Sequence, residues 1–401
     1  MSILKGECPP TAGLPLLLGD LAGRGGDFAQ RLAGFLEVPA VGIACSGTAS
    51  LIIILETLRR RSKRTTVVVP AYTCPLVVFA IARCGLQLRV CDVRPLSFEL
   101  DPEALAKICD ERTLAVVPTH LGGRVADLAP VIAIARRCGA YVIEDAAQAL
   151  GARDGGKSLG LAGDAGFFSL AAGKGLSLFE GGVWVAADAG LRAELSDTAR
   201  DIVPRGLLME ARRCLELLGY ALAYRPQGLP FVYGHALRRA LRENDPVAAA
   251  GDCFSPEIPF HRVSAWRQAV GSSALARLPA FQQRLARRAA ERLPRLAALP
   301  GVKVLSDPPG RRGTWPVFMV LLASEAMRDR VLGVLWGAGL GVARMFACAL
   351  PDYEYLRPWV GECHVPNARE FAARSLTITN SPWLDDAHFE EILGVLARFC
   401  R

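Results

Sequence analysis

Residues 140–148 read AYVIEDAAQ, and this stretch decides the fold. The short apolar run over residues 140–145 predicts a buried strand that closes on two carboxylates, Glu144 and Asp145. A carboxylate at the end of an apolar strand needs a cationic or hydrogen-bond-donating partner. That partner is either a ligand, such as a protonated heteroaromatic nitrogen, or the N–H groups of the next turn, which the carboxylate would cap. Taken alone, the stretch supports both interpretations equally.

Similar apolar runs recur on both sides of this strand and alternate with helical patterns. The predicted strands cover residues 65–70, 86–92, 114–118, 140–145, 167–170 and 183–187, and the predicted helices include residues 49–58, 77–84 and 127–138. Apolar strands separated by helices of about ten residues imply a parallel sheet that is covered on both faces. The predicted fold class is therefore α/β, with a mostly parallel central sheet flanked by helices.

Polar side chains follow several of these strands. Thr73 follows VVVPA, His120 follows LAVVPT, and Asp145 ends YVIED. Ligands of parallel sheets bind outside the carboxyl ends of the strands. The sequence therefore predicts a ligand site at this edge of the sheet.

The pattern divides the chain into an arm and two domains. Residues 1–20 are predicted to form an irregular N-terminal arm, and residues 21–250 to form the large domain. Within the large domain, residues 191–250 are a helical insertion that is rich in arginine and aromatic side chains. Residues 251–401 are predicted to form a smaller α+β domain. This domain includes a long basic helix over residues 275–299, and a strand, helix, strand pattern follows that helix.

Composition and charge limit the expected partners of the protein and the cellular compartment in which we expect it. The chain has 401 residues, 47 basic and 39 acidic, and a net charge of +8, but its arginines are scattered among acidic residues and no nucleic-acid-binding motif is visible. Nucleic acid is therefore not an expected partner. The twelve cysteines contain no CxxC pair, no secretory signal pattern opens the sequence, and no apolar run reaches the ~18 residues of a membrane span. We expect a cytoplasmic protein with no metal site.

A single lysine carries the strongest chemical signal. Residues 167–174 read FFSLAAGK, and Lys174 is one of only six lysines in a chain with 47 basic residues. Arginine cannot lose its proton or form an imine, whereas lysine can do both. The alternative is a surface lysine on a glycine-rich turn, which the flanking FFSL disfavours. Lys174 is therefore the predicted catalytic residue.

Ser46, Gly47 and Thr48 stand at the start of a predicted helix, where free N–H groups can bind a phosphate. In isolation the same residues are more often an ordinary helix cap. An anion site, a carboxylate for a ring nitrogen and an imine-forming lysine are together what pyridoxal 5′-phosphate requires. The order in the chain, with Asp145 standing 29 residues before Lys174 and the phosphate site far upstream, fits the large aspartate-aminotransferase-like fold.

The sequence resembles the DegT/StrS-type sugar aminotransferases, most clearly over residues 40–190. The matching stretches are CSGTASL, VVVPAYT, PTHLGGRVADLAPVIAIARRCGAYVIEDAAQALGA, GDAGFFSL followed by Lys174, and EGG. The resemblance implies a pyridoxal-phosphate-dependent transferase of fold type I. It implies that Lys174 forms the imine with the cofactor and moves protons, that Asp145 pairs with the pyridine nitrogen, and that Gln148 lies against the ring or its hydroxyl. Gly47, Thr48 and Ser169 would bind the phosphate.

Two positions depart from the family pattern. An aromatic residue that stacks on the cofactor usually follows the Thr of the PAxT stretch, and Cys74 stands there in this chain. Tyr72 or His120 is the expected replacement. The family's Asn that reaches the partner subunit's cofactor falls on Phe260. Arg262 matches the family and is expected to contact the cofactor, either in its own subunit or across the dimer.

The expected function is transfer of an amino group to a keto-sugar that is linked to a nucleotide, with glutamate as the expected donor and a homodimer as the expected assembly. Two alternatives stay open: a pyridoxal phosphate enzyme that acts on another ketone or dehydrates a sugar, and a non-catalytic regulator or scaffold on the same fold. The family's dehydratases replace the lysine with histidine, so Lys174 disfavours dehydration. Residues 207–241 mix arginine with tyrosine, phenylalanine and leucine, which also permits contact with a membrane surface. Covering the active-site mouth or the dimer seam is the preferred interpretation of that segment.

Overall fold

The computed structural model describes residues 6–400, so the first five residues of the predicted N-terminal arm and Arg401 lie outside the described residues. The strands in this range are β1 (Gly42–Ala44), β2 (Thr66–Pro70), β3 (Gln87–Cys91), β4 (Thr113–Val116), β5 (Tyr141–Asp145), β6 (Arg153–Asp154), β7 (Lys157–Ser158), β8 (Ala165–Ser169), β9 (Gly182–Ala186), β10 (Val302–Val304), β11 (Arg311–Arg312), β12 (Val317–Leu322), β13 (Val342–Ala343) and β14 (Ser375–Thr379).

The α-helices of the same range alternate with the strands in the first half of the chain. They are α1 (Phe28–Leu36), α2 (Gly47–Arg61), α3 (Leu76–Arg83), α4 (Pro102–Ile108), α5 (Ala129–Cys138), α6 (Ala189–Ile202), α7 (Leu207–Ala223), α8 (His235–Arg242), α9 (Pro246–Ala250), α10 (Ala265–Leu275), α11 (Leu278–Ala297), α12 (Glu325–Leu335), α13 (Arg357–Val360), α14 (Pro366–Arg374) and α15 (Asp386–Phe399). Short 3₁₀ helices cover Leu18–Ala22, Leu121–Gly123, Leu350–Asp352 and Glu354–Leu356, and a π-helical turn covers Pro230–Gly234.

The central sheet has seven strands in the order β1-β9-β8-β5-β4-β2-β3. The pairs β2–β3, β2–β4, β4–β5 and β5–β8 are parallel, and only β9 runs against its neighbours. The strands β2, β4, β8 and β9 are buried along their whole length, as expected for a sheet with helices on both faces. The predicted α/β fold with a mostly parallel sheet is confirmed.

Local sequence signals explain several helix starts. The Ser46 hydroxyl accepts a hydrogen bond from the Ala49 N–H at 3.0 Å and caps α2. One Asp101 carboxylate oxygen accepts from the Glu103 N–H at 2.8 Å, and Pro102 occupies the first helical position of α4. The Ser46 cap falls where the sequence analysis predicts a helix start.

A second sheet, β10-β12-β14-β13, is antiparallel throughout and lies in the C-terminal third of the chain. Its central strand β14 is absent from the sequence prediction. The predicted long helix over residues 275–299 corresponds to α11, preceded by the separate helix α10.

The insertion folds as the helices α6 to α9 with a π-helical turn between α7 and α8. Leu237 and Ala240 of α8 and Ala249 of α9 share a buried cluster with β12 and β14 of the C-terminal sheet. Tyr220 and Leu217 of α7 join the cluster beneath the central sheet instead. The insertion therefore packs on both sheets. No helix within residues 6–400 has the length and apolar composition to cross a bilayer.

Candidate active site

A cavity of about 670 Å³ opens at the carboxyl ends of the central strands. Its wall includes Ser46, Gly47 and Thr48 at the start of α2, Thr73 and Cys74 after β2, Thr119 after β4, Asp145 at the end of β5, Gln148, Ser169 at the end of β8, and Lys174. The structure thus brings Lys174, Asp145, Gln148, Ser169, Gly47 and Thr48 together on one cavity. Their sequence positions are far apart, and only the parallel sheet unites them.

Lys174 lies on the turn between β8 and β9. Its N–H donates to the Ala171 carbonyl at 3.1 Å, and the Ala172 N–H donates to the Phe179 carbonyl at 2.7 Å, which closes the turn. Burial lowers the pKa of the Lys174 amine, while the negative charge of Asp145 raises it. A lowered pKa increases the fraction of uncharged amine, which is the form that attacks a carbonyl carbon.

Asp145 presents its carboxylate to the same cavity. One carboxylate oxygen accepts a hydrogen bond from the Ala147 N–H at 3.0 Å, and the backbone is held by bonds to Pro118 and His120. Burial raises the pKa of Asp145 to about 6, although that N–H and the positive charge of Lys174 lower it. Asp145 therefore caps the following turn, as one interpretation predicts, and it also lines the cavity, where its pairing with a ligand stays a prediction.

The start of α2 and the end of β8 approach each other closely. A Cβ atom on Gly47 would lie 3.1 Å from the Ser169 Cβ, so a larger residue would push the two segments apart. The hydroxyls of Thr48 and Ser169 and the first N–H groups of α2 are available at this corner. This donor set fits a phosphate dianion.

Gln148 lines the same cavity. Its Oε1 atom accepts a hydrogen bond from the Gly122 N–H at 2.7 Å. The side-chain NH₂ group is therefore the part of Gln148 that can donate into the cavity.

The structure corrects the expectation that Tyr72 or His120 stacks on a ligand in this cavity. The Tyr72 hydroxyl bonds to the backbone of Phe346 at 3.2 Å, and its ring packs edge-on against Phe371 with centroids 4.9 Å apart. The Nδ1 atom of His120 accepts from the Ala126 N–H at 3.0 Å, so its Nε2 atom carries the proton and donates to Glu144 at 3.2 Å. Both side chains are buried in the core, and neither lines the cavity.

Cys74 lines the cavity, at the position where the family pattern has an aromatic residue. Burial raises the pKa of its thiol to about 12, so the group is uncharged at neutral pH. Phe254, which follows the insertion, lines the same cavity. No sequence pattern indicates Phe254, because this contact depends on how the insertion folds back over the sheet.

Arg262 lies outside the cavity of its own chain. Its backbone N–H donates to the Pro204 carbonyl at 3.1 Å and its Nε atom donates to the Val203 carbonyl at 3.3 Å, which fixes it at the end of α6. Phe260 packs under the Arg83 guanidinium, 5.1 Å from the ring centroid. Neither side chain contacts the Lys174 turn of the same chain.

The sequence analysis names Thr73 but misses several other cavity residues. The Thr119 hydroxyl lies 2.9 Å from the Thr73 hydroxyl, and Tyr224, Tyr233 and Arg344 complete the wall. The two tyrosines belong to the insertion, whose aromatic composition indicated a segment that covers the mouth of the site. Arg344 follows the short strand β13 and had no signal in the sequence.

The lysine, the carboxylate and the phosphate corner fit pyridoxal phosphate, because each part of that molecule meets a group of matching chemistry. The DegT/DnrJ/EryC1/StrS aminotransferase family model matches residues 23–220. A putative sugar aminotransferase from Streptococcus pneumoniae, solved in its PMP form, superposes with a TM-score of 0.76 at 17% identity, over 98% of this chain and 99% of that chain. This similarity shows the shared fold.

Two curated relatives align with the first half of the chain. A pleiotropic regulatory protein of Geobacillus stearothermophilus is 34% identical over 185 residues, which are 45% of this chain and 49% of that protein. GDP-perosamine synthase of Caulobacter vibrioides is 35% identical over 170 residues, which are 42% of this chain and 45% of that protein. The chain therefore spans about half the length of the curated relatives that it matches. Residues 23–220 therefore match the model of the DegT/DnrJ/EryC1/StrS aminotransferase family, and the chain shares its fold with a solved sugar aminotransferase.

Proposed function

We propose that this protein is a pyridoxal-phosphate-dependent aminotransferase. The observation that carries the proposal is the meeting of the Lys174 amine, the Asp145 carboxylate and the Gly47–Ser169 corner on one cavity. When bound, pyridoxal phosphate supplies an electron sink that stabilises the negative charge left on a deprotonated carbon. The chain's own residues must hold the cofactor and move the protons.

Each cavity residue has a distinct part in this proposal. Lys174 would hold the cofactor at its aldehyde carbon, and its amine would be the group that moves the proton at the substrate carbon. Asp145 would accept a hydrogen bond from the ring nitrogen and favour its charged form. Gln148 would donate a hydrogen bond to the ring or its hydroxyl. Thr48, Ser169 and the N–H groups of α2 would hold the phosphate.

The proposed acceptor is a keto-sugar linked to a nucleotide, and the proposed donor is glutamate. The cavity volume of about 670 Å³ exceeds what the cofactor alone needs and leaves room for a sugar beside it. Arg344 supplies a positive charge on the same wall. The relative named GDP-perosamine synthase supports a nucleotide sugar as the substrate class.

The first test concerns the covalent bond to Lys174. Purified protein saturated with pyridoxal phosphate should show a visible absorbance band, and borohydride reduction should fix the cofactor on the peptide that contains Lys174. Lys174→Arg keeps the positive charge and should lose the adduct. Lys157→Arg, which changes an exposed lysine of β7, is the matched control and should keep it. A reduced adduct that persists in Lys174→Arg would contradict the assignment.

A regulator or scaffold is the second candidate function. Cys74 replaces an aromatic position of the family pattern, and one relative is named a pleiotropic regulatory protein. Glutamate separates the two functions, because an aminotransferase should lose its visible band on addition of glutamate and release 2-oxoglutarate. A band that no amino donor changes would favour the regulator.

The proposal also covers the assembly of the protein and its cellular location. We propose a homodimer, as the family resemblance implies, and a cytoplasmic setting. All twelve cysteines are free thiols, which supports a reducing compartment.

A further inference from the structure

Helix α7 presents a line of small and apolar side chains to solvent. This line, which we call the α7 stripe, consists of Leu208, Ala211, Leu215, Leu218 and Leu222. Leu208 is 88% exposed and Leu215 is 70% exposed. The other face of α7 is buried against the rest of the chain. Large apolar side chains with this exposure on one face of a helix are typical of a surface that meets a partner.

The exposed apolar surface of the molecule is concentrated around the α7 stripe. Of the eleven large hydrophobic side chains that are exposed in the described part of the chain, seven lie between residues 207 and 232. Two more, Leu17 and Leu18, follow a residue that Arg225 ties to the end of α7. The Arg225 guanidinium donates to the Leu16 carbonyl at 3.0 Å and to a carbonyl in the last turn of α7 at 3.3 Å. Nine of the eleven side chains therefore lie in one region.

The exposed charges of this region have one sign. Residues 204–242 contain seven arginines and two acidic residues, and the acidic side chains, Glu210 and Glu216, are buried or half-buried. Every charged side chain that is exposed in this range is an arginine: Arg205, Arg212, Arg239 and Arg242. An apolar strip flanked by arginine is complementary to a surface of hydrocarbon beneath negatively charged headgroups.

The same region has few groups for the directional bonds of a protein interface. Between residues 204 and 242 the uncharged polar side chains that are exposed are Gln227 and His235 alone. A protein–protein interface of standard size carries about ten direct hydrogen bonds. A lipid surface requires none of these, because hydrocarbon accepts apolar side chains in any orientation. A second copy of the chain would also bring arginine against arginine, since no acidic side chain is exposed in this range.

The shape of the α7 stripe suits a flat surface. Its members stand at intervals of three and four residues, so they form one line along the helix. From Leu208 to Leu222 this line is about 21 Å long, at a rise of 1.5 Å per residue. The N–H groups of Gly228 and Leu229 both donate to the Arg225 carbonyl, which makes the turn after α7 tight. A helix with such a line lies parallel to the plane of a bilayer, with its apolar side facing inward.

We propose that the α7 stripe and the π-helical turn that follows it dock on an anionic lipid surface. The leucines enter the boundary between headgroups and acyl chains, and the flanking arginines meet the lipid phosphates. Tyr224 and Tyr233 line the cavity and stand within two positions of the exposed Leu222 and Val232. Docking therefore holds this wall of the cavity close to the headgroups. The composition of residues 207–241 permits this partner, and the one-signed charge favours it over a second copy of the chain.

Flotation with lipid vesicles tests the docking, and the full chain saturated with pyridoxal phosphate is the protein used. It should float with vesicles that contain phosphatidylglycerol and bind vesicles of phosphatidylcholine alone more weakly. An arginine near an anionic surface contributes about fivefold in affinity, so Arg205→Gln combined with Arg242→Gln should weaken binding about 25-fold at low salt. Salt at about 0.5 M should remove this difference by screening. An unchanged protein that does not float with phosphatidylglycerol would overturn the proposal.

A single substitution tests the apolar part of the contact. Leu215→Glu places a carboxylate in the middle of the α7 stripe and should weaken binding at least about tenfold, since burial of one leucine side chain contributes that much. Val334→Glu makes a similar change at a 48% exposed side chain of α12 and should leave binding unchanged. The circular dichroism spectrum and the visible band with pyridoxal phosphate should be the same in both variants. These two readouts separate loss of docking from loss of the fold or of the chemistry proposed for Lys174. Equal binding by Leu215→Glu and the unchanged protein would contradict the proposal.

Light scattering after size exclusion decides between lipid and a second copy of the chain. The mass in solution should be the same for Leu215→Glu and the unchanged protein, because no protein covers the α7 stripe. A mass that falls by half in Leu215→Glu would assign the stripe to a second copy and refute the lipid contact. Amide exchange over residues 207–236 should slow when phosphatidylglycerol vesicles are added, whereas exchange in α12 should not change. Protection that appears only in other parts of the chain would place the lipid contact elsewhere and refute the proposal.

Discussion

At the scale of single residues, burial of the Asp145 carboxylate in the site lowers the stability of the folded protein at neutral pH. Its pKa in the folded protein without cofactor is about 6, above the ordinary value of 3.8, because the carboxylate is buried. The folded state therefore binds the proton more tightly than the unfolded state does. The contribution of this group to stability is greatest below pH 4 and is lost as the pH rises through 6.

We predict that Asp145→Asn raises the stability of the cofactor-free protein at pH 7. The gain should be on the order of 3 kcal/mol at most, since two units of pKa correspond to about that energy. Urea unfolding at pH 4 and pH 7 measures it, and the difference between the two pH values should shrink in the variant. Asp201→Asn, at an exposed surface pair, is the control. Equal pH dependence in Asp145→Asn and the unchanged chain would contradict the role of this carboxylate.

The candidate site was predictable from sequence to the extent that its residues follow strand ends. Lys174, Asp145, Gln148, Ser169, Gly47 and Thr48 lie on the cavity as expected. Tyr72 and His120 also follow strands, but their orientation depends on distant partners. Tyr72 is held by Phe346, which lies 274 positions away, and His120 is held by the buried Glu144. No local pattern encodes such contacts.

At the scale of elements, α7 and the N-terminal segment hold the turn that carries Lys174. The Tyr220 hydroxyl accepts a hydrogen bond from the Gly173 N–H at 3.3 Å, and the Thr11 hydroxyl donates to the Gly173 carbonyl at 2.7 Å. Leu14 N–H donates to the Gly175 carbonyl at 3.1 Å on the other side of the lysine. Two segments far apart in sequence thus fix the backbone on both sides of Lys174.

We predict that Tyr220→Phe loosens this turn without unfolding the protein. Loss of one hydrogen bond costs about 1 kcal/mol, so amide exchange of residues 171–177 should become about fivefold faster. Mass spectrometry of exchanged peptides measures the change. Tyr141→Phe, at the opposite end of β5, should leave exchange in that peptide unchanged. Unaltered exchange in Tyr220→Phe would show that packing alone holds the turn.

The strands differ in how clearly their own sequences predict them. The sequences of β2, β4 and β5 are apolar runs, which predict strands. The structure buries nearly every residue of these three strands. Strand β14, SLTIT, has no such run and follows α14 without a loop, so its sequence resembles the end of a helix. Its strand conformation comes from pairing with β12 and β13 on its two sides.

At the scale of the whole molecule, a buried ion pair ties the central sheet to the C-terminal part of the chain. Arg124 and Asp307 are joined at 2.5 Å with both side chains nearly inaccessible, and the Val125 N–H donates to the same carboxylate at 2.9 Å. The Arg124 guanidinium also lies over the Trp315 ring, 3.3 Å from the centroid. Burial lowers the pKa of Arg124 to about 10, although Asp307 raises it.

We predict that Asp307→Ala destabilises the protein by about 3–5 kcal/mol, because it leaves a buried charge without its partner. Urea unfolding measures the loss. Arg124→Met combined with Asp307→Leu should recover most of it, since no unpaired charge remains. Glu243→Ala removes an exposed pair with Arg239 and should cost less than about 1 kcal/mol. A similar small loss in Asp307→Ala would show that water reaches the Arg124 site.

The position of β14 has a consequence for biosynthesis. The ribosome delivers β10, β12 and β13 first, and β14, the strand that joins β12 to β13, emerges only after all three. Until then β12 has an open edge that can pair with other nascent chains. A premature stop before residue 375 therefore removes the centre of this sheet rather than its margin.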